Sequence, residues 1–294
     1  MTLEQIAGPA HYVPGRVNIG VIVGEGQAAF IDSGIDENAA RKAAQAVEQE
    51  GLRPVALINT HAHADHCGGN AFLIKRTRAA VYAPPIEAAL IEHPEFEVFY
   101  LFGAAPFPAI DGKWFHAAPS HVDHRLGATL SICGLELEIL PAAGHSINQV
   151  AVLTPDAAFL ADALLSPALL ERYPIQYCYD VVAHRATLAL LAGLRKAWYV
   201  GAHFAPTQDL EGLLAANRRN LERTAEAVLG AVAPTATTEE VVARAAEALG
   251  VLSMDPPAYL LNAAAVKAHL SAHVRAGRLD FEIADGRPLW RRLP

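Results

Sequence analysis

Cysteine is scarce in this chain of 294 residues, with only Cys67, Cys133 and Cys178 present. An odd number at wide spacing excludes a disulfide framework and a cysteine-type zinc finger. Charge is sparse too, at 18% of residues, and the net balance of -8 argues against non-specific capture of nucleic acid by the whole surface. No apolar run approaches the roughly 18 uninterrupted residues of a membrane span. The opening stretch "MTLEQIAGPAHYVPG" lacks the basic-then-apolar pattern of a secretory leader. With so few cysteines, these absences lead us to expect a cytoplasmic protein with no membrane partner. What the chain has in quantity is apolar: 52% of residues are hydrophobic, enough for a large core and too many for disorder.

The order of patterns indicates an α/β architecture. "VNIGVIV" (17–23) and "AAFID" (28–32) read as strands joined by the Gly-rich turn "GEGQ". Residues 37–50 are Ala-rich and helical, "PVALI" (54–58) is a short buried strand, a helix follows over about 69–76, and "AAVYAP" is a further strand. The stretch 85–125, rich in aromatics and prolines, breaks this rhythm. We read it as an inserted helical segment, either a lid or a packing surface. Strand pairs return at "ATLSICGLELEIL" and "QVAVLTPDAAFLAD", then a helix over 181–196, the strand "AWYVGAH" and a helix over 210–229. Two sets of strands, each flanked by helices, point to two sheets with helices outside. Composition changes near Pro234: "TTEEVVARAAEALG" carries helix start and stop signals, "PAYLLNAAAVKAHLSAHVRAG" reads as one or two further helices, and "RLDFEIADGRPLWRRL" reads as a hairpin turning at Asp285-Gly286. We therefore divide the chain into a catalytic domain, 1–230, and a C-terminal helical, winged-helix-like module, 231–294.

Chemistry concentrates in "NTHAHADHCGG" (59–69). An apolar strand that ends in three histidines and an aspartate, then meets two glycines, reads as a strand opening into a site. Imidazole and carboxylate are good zinc ligands. His61 and His63, one residue apart, can turn toward one ion, and Asp65 and His66 toward a neighbouring one. Further ligand types stand at later strand ends: His145 in "LPAAGHSINQ", Asp162 in "AAFLADALLS" and His203 in "AWYVGAHFAP".

This set, HxHxDH followed by a GHS-type histidine, an aspartate and a final histidine, resembles the signature of the metallo-β-lactamase-fold superfamily, over about residues 17–205. The resemblance implies an αββα sandwich with the site at one edge. It implies that His61, His63 and His145 hold a first metal, Asp65, His66 and His203 a second, and that Asp162 bridges them. The cofactors would be two divalent ions, zinc above all, with iron or manganese also compatible. Such a pair supplies hydroxide at neutral pH, and Asp65 is the leading catalytic residue, orienting the nucleophile or taking its proton. Three details depart from the family's habit: Ala161 stands where Gly usually precedes the bridging aspartate, Cys67 directly follows His66, and the final histidine sits in "GAHF". We read Cys67 as a small buried residue, and His116, His121 and His124, like the remaining histidines, as surface or structural.

The metal core does not select the substrate. We expect a metal-dependent hydrolase of a small acyl compound, with Tyr173, Tyr177 and Tyr179 as candidate substrate contacts and the apolar insert suited to an acyl chain. A second reading is an RNA-cutting nuclease that grips nucleic acid with the C-terminal module. A third, a non-enzymatic binding protein, is disfavoured because every ligand position is filled. A homodimer is compatible with the sequence, which does not set the oligomeric state.

Overall fold

A computed structural model describes residues 2–251 and 253–294. The chain begins with a meander of β1 (Glu4–Ala7), β2 (Ala10–Val13), β3 (Ile19–Gly24) and β4 (Gln27–Ile31). Its first hairpin was not foreseen, because "EQIA" and "AHYV" are too short and too mixed to announce strands. Helix α1 (Glu37–Gln49) starts on Asp36, whose carboxylate accepts the N–H groups of Asn38 and Ala39. Strand β5 (Arg53–Ile58) then pairs parallel to β4. Short helix α2 (Ala64–Cys67), helix α3 (Asn70–Thr77) and β6 (Ala80–Ala83) follow. The insert is helical only in its first half, as α4 (Pro85–Glu92) and α5 (Glu95–Phe102). It ends in β7 (His124–Arg125), the seventh strand of the first sheet.

The second sheet has six strands: β8 (Thr129–Ile132), β9 (Leu135–Pro141), β10 (Val150–Leu153), β11 (Ala157–Ala161) and, after α6 (Pro167–Arg172) and α7 (Val181–Leu191), β12 (Trp198–Gly201) and β13 (Phe204–Thr207). Helix α8 (Leu210–Ala231) closes this part.

Two-residue periodicity builds the layers. Successive strand residues face opposite sides, so Phe30 and Leu57 join Ala40, Ala44 and Leu73 beneath α1 and α3. Their neighbours Ile31 and Ile58 face Leu137, Ile139, Val152 and Phe159 of the other sheet. Leu153, Leu160 and Tyr199 point outward beneath Leu188, Leu213 and Leu221 of α7 and α8. The result is the expected αββα sandwich. Each large side chain buried this way contributes about 1.5–3 kcal/mol.

The C-terminal part holds β14 (Thr235–Ala236), α9 (Thr238–Ala248), α10 (Pro256–Arg275), β15 (Leu279–Ala284) and β16 (Arg287–Arg292). Thr237 and Glu240 form a reciprocal capping box at the start of α9. The predicted helical stretch is one helix, α10, and the hairpin turns at Asp285 and Gly286 with φ of 50° and 72°. Strand β16 pairs with both β15 and β14. One side of α10 joins α5: Leu260, Leu261 and Ala264 pack on Val98, Leu101, Ile110 and Phe115. The insert is thus a packing surface for α10, while Phe96, Phe99 and Phe102 on its other side stay exposed. Among the described residues no helix is long and apolar enough to cross a membrane.

Candidate metal centre

The loops at one edge of the sandwich bring the seven ligand candidates together. His61 lies just beyond β5, His63 caps α2, and Asp65 and His66 lie within it. His145 comes from the β9–β10 loop, Asp162 follows β11, and His203 sits between β12 and β13. The cluster that reads as a loop in sequence is therefore partly helical, and one turn of α2 aims Asp65 and His66 at the same place.

Three overlapping trios have ligand atoms within 4.8 Å of one another: His61, His63 and His145; His61, His66 and Asp162; and Asp65, His66 and His203. His63 Nδ1 lies 3.1 Å from His61 Nε2 and 2.9 Å from His145 Nε2. Asp162 stands between the groups, 3.5 Å from the Nε2 of both His66 and His145 and 3.4 Å from that of His203. Asp65 lies 3.5 Å from His203 Nε2.

The donor set fits divalent cations. Burial holds His61 and His145 well below the usual imidazole range, and brings His63 down to about 4, so all three are neutral with a free lone pair. His66 Nε2 and Asp162 Oδ1 are buried without a hydrogen-bond partner, an expensive condition unless a cation meets them. For Asp162 burial pushes the carboxyl up, but His203 and His66 outweigh it and hold it well below its ordinary value.

The supporting residues were not read from the sequence. Asp32, at the end of β4, accepts the backbone N–H and hydroxyl of Thr60 and contacts His66 Nδ1, each at 2.8 Å. It thereby turns the other ring nitrogen of His66 toward the centre. Its φ of 61° is one that aspartate tolerates. The available signal was "FIDSG", an acid closing an apolar strand. Glu97 of α5 is buried close by, and burial, with the charges of Asp65 and Glu87, holds its carboxyl well above its normal range. Gly144 has φ of 129°, and any side chain there would collide with the His184 backbone, so the loop bearing His145 lies directly on α7.

A cavity of about 750 Å³ opens from His63. Ile86, Leu90 and Ile147 give it apolar walls, Tyr177 and Tyr179 line it, and α10 contributes Ala264, Lys267, Ala268 and Ser271. Tyr177 packs edge-on against His63 and His145, with ring centroids 5.2 and 5.4 Å away. Tyr173 does not join them: it is exposed at the end of α6, under the Arg172 guanidinium. Cys67 donates to the Ala62 carbonyl, and burial raises its thiol pKa well above normal. His116 pairs with Asp111 and His121 with Glu92, away from the centre. A second cavity, of about 760 Å³, lies by α3, lined by Lys75, Lys113 and His116 and by none of the ligand candidates.

Comparison with known proteins agrees with this fold. Residues 12–227 match the family model described as the metallo-beta-lactamase superfamily. Among curated proteins, a hydroxyacylglutathione hydrolase of Xanthomonas campestris pv. campestris is 29% identical over 146 residues, 50% of this chain and 45% of that protein. One of Rhodopseudomonas palustris is 30% identical over 151 residues, 51% of this chain and 49% of the relative. The match thus spans about half the length of these relatives. Among solved structures, a beta-lactamase domain protein from Burkholderia ambifaria superposes with a TM-score of 0.74 at 15% identity, covering 99% of this chain and 93% of that one. A metallo-beta-lactamase family protein from Thermus thermophilus superposes at 0.72 with 20% identity, covering 96% and 98%.

Proposed function

The chain belongs to the metallo-β-lactamase superfamily, and on that premise we propose that it is a dinuclear, metal-dependent hydrolase of a small acyl compound: an ester, thioester or lactone. The observation that carries this reading is the convergence of three ligand trios beside a cavity that one of their members, His63, lines. The preponderance of imidazole favours zinc, with iron or manganese as the other compatible ions. Bound zinc would supply Lewis acidity and a nucleophile at neutral pH.

The chain's own residues supply the rest. Asp65 is the carboxylate of the cluster with most access to solvent, placed to orient attacking water or take its proton. Ile86, Leu90 and Ile147 would receive an apolar acyl group, and Tyr177 and Tyr179 border its approach. Relatives named hydroxyacylglutathione hydrolase favour a thioester within this class. Three buried free thiols suit a reducing compartment and so the cytoplasm. We read residues 231–294 as a winged-helix-like module, but α10 is committed to the cavity wall, and Arg291 is engaged by Asp280 and Glu282. Both features count against nucleic acid as its first ligand.

The test is zinc-loaded protein offered lactones, thioesters and a phosphodiester side by side, with Asp65→Ala as control. Acyl turnover should appear and fall about 100-fold or more in the variant. Turnover of the phosphodiester alone would overturn the proposal in favour of a nuclease.

A further inference from the structure

One buried carboxylate joins the two loops of the centre without being one of its ligands. Glu87 lies in the first turn of α4 and is 0% exposed. Its Oε2 accepts the Ala62 N–H at 2.9 Å. Its Oε1 accepts the Ser146 hydroxyl at 2.5 Å and the Asn148 N–H at 2.8 Å. Ala62 stands between His61 and His63, and Ser146 directly follows His145. A single side chain therefore ties the peptide linking two members of the first trio to the residue beside the third. The link is returned from the other side, where Asn148 Oδ1 accepts the Ile86 N–H at 3.3 Å.

An ordinary core does not call for this arrangement. A buried carboxylate is costly to keep ionised, and burial does push the Glu87 carboxyl up, against the pull of its three donors. Yet all three donors need an acceptor, and a carboxyl group accepts them on both of its oxygens. The donors also sit at the two places that determine how far His145 lies from His61 and His63. Asp32 performs the corresponding task for His66, so the two halves of the centre have separate supports.

We propose that Glu87 is a positioning residue for the His61, His63 and His145 trio, setting the relative placement of its two loops and hence the affinity with which that trio holds its ion. The proposal rests on reading the trios as metal sites. It gives the insert a role distinct from that of a lid: α4 carries the brace for the centre and, through Ile86 and Leu90, a wall of the cavity.

Glu87→Gln tests it. The glutamine keeps the volume and can still accept from Ser146 and Asn148, but its amide group faces the Ala62 N–H with no acceptor. Stepwise metal affinity is read by zinc competition with a chromophoric chelator, and ligand geometry by the visible spectrum of the cobalt-loaded protein. One binding step should weaken by about 10–100-fold, as loss of such supports does. The other step should be unchanged, and the cobalt spectrum should alter for one ion only. Ser146→Ala, which removes one of the three donors, should weaken the same step to a lesser degree. Wild-type affinity for both ions in Glu87→Gln would overturn the proposal. So would equal weakening of both steps with a matching loss of metal-free thermal stability, the mark of a merely structural role. If Glu87→Gln does not fold, unchanged stepwise binding in Ser146→Ala overturns it. Wild-type protein that takes up no metal would sink the metal reading itself, and this inference with it. Two ions bound equally well by wild type and variant would sink this inference alone.

Discussion

Ala161 holds φ of 45°, in the left-handed region where a Cβ is strained, immediately before Asp162. Such a residue costs about 1–2 kcal/mol relative to right-handed backbone. The sequence departs from family habit at this position, and the structure shows why glycine is the usual occupant. Ala161→Gly should relieve the strain and, after glycine's own entropic cost, stabilise the fold by about 0.5–1 kcal/mol. Thermal unfolding of the metal-free protein checks this, and a lowered midpoint would show that the backbone carries no such strain. The seven ligand candidates were legible at this scale because each is a chemically distinctive residue that follows soon after an apolar strand. Asp32 and Glu87 were not. An acid after a strand, or in the first turn of a helix, normally faces water. Only the return of Thr60, Ala62 and Ser146 from distant parts of the chain buries these two.

Helix α10 shows what elements add. Its helical character was legible from its Ala- and Leu-rich run, but neither its unbroken length nor its surroundings were, since it is apolar on several sides and carries no single stripe to orient it. Packed in place, it buries His269 with neither ring nitrogen hydrogen-bonded. Burial, with His273, Arg185 and His184 adding to it, lowers the pKa of this ring to about 3. The unfolded chain takes up this proton near the ordinary value of about 6.5. Stability from His269 is therefore fully present above about pH 6.5 and drains away as pH falls toward 3. His269→Leu removes the unpaired nitrogens at similar volume. It should flatten the loss of stability between about pH 7 and 5, measured by denaturant unfolding at each pH; an unchanged slope would exclude His269 as a source of acid sensitivity. Helix α2 was missed for the opposite reason: four residues are too few to show a period, and its polar composition reads as loop.

Across the whole molecule, the centre exists only where the two sheets meet. Asp32, His61 and His63 arrive from the first sheet, and His145, Asp162 and His203 from the second. The layers were legible because alternation along β4 and β5 feeds two different cores. How the C-terminal part completes the cavity was not, because that depends on contacts between α5 and α10 that no local pattern encodes. Since unfolding separates the ligands, metal should bind the native state far more strongly than the unfolded chain. Zinc at a thousand times its dissociation constant should add about 4 kcal/mol, or roughly 6–7 °C in the unfolding midpoint of a chain this long. Chelation should reverse the shift. A midpoint indifferent to zinc would contradict the assignment of the trios.

The distribution of ligands along the chain has a consequence for synthesis. Domains form as the polypeptide emerges, N-terminal parts first, at about 5–20 residues per second. The loop bearing His145 rests on α7, and Asp162 and His203 come from the second sheet, so the centre is complete only once residue 203 has left the ribosome. The histidines of residues 61–66 emerge on the order of ten seconds earlier. Metal capture by the finished centre would therefore be a late event in synthesis, and the early histidines would wait for the second sheet before holding an ion at native affinity.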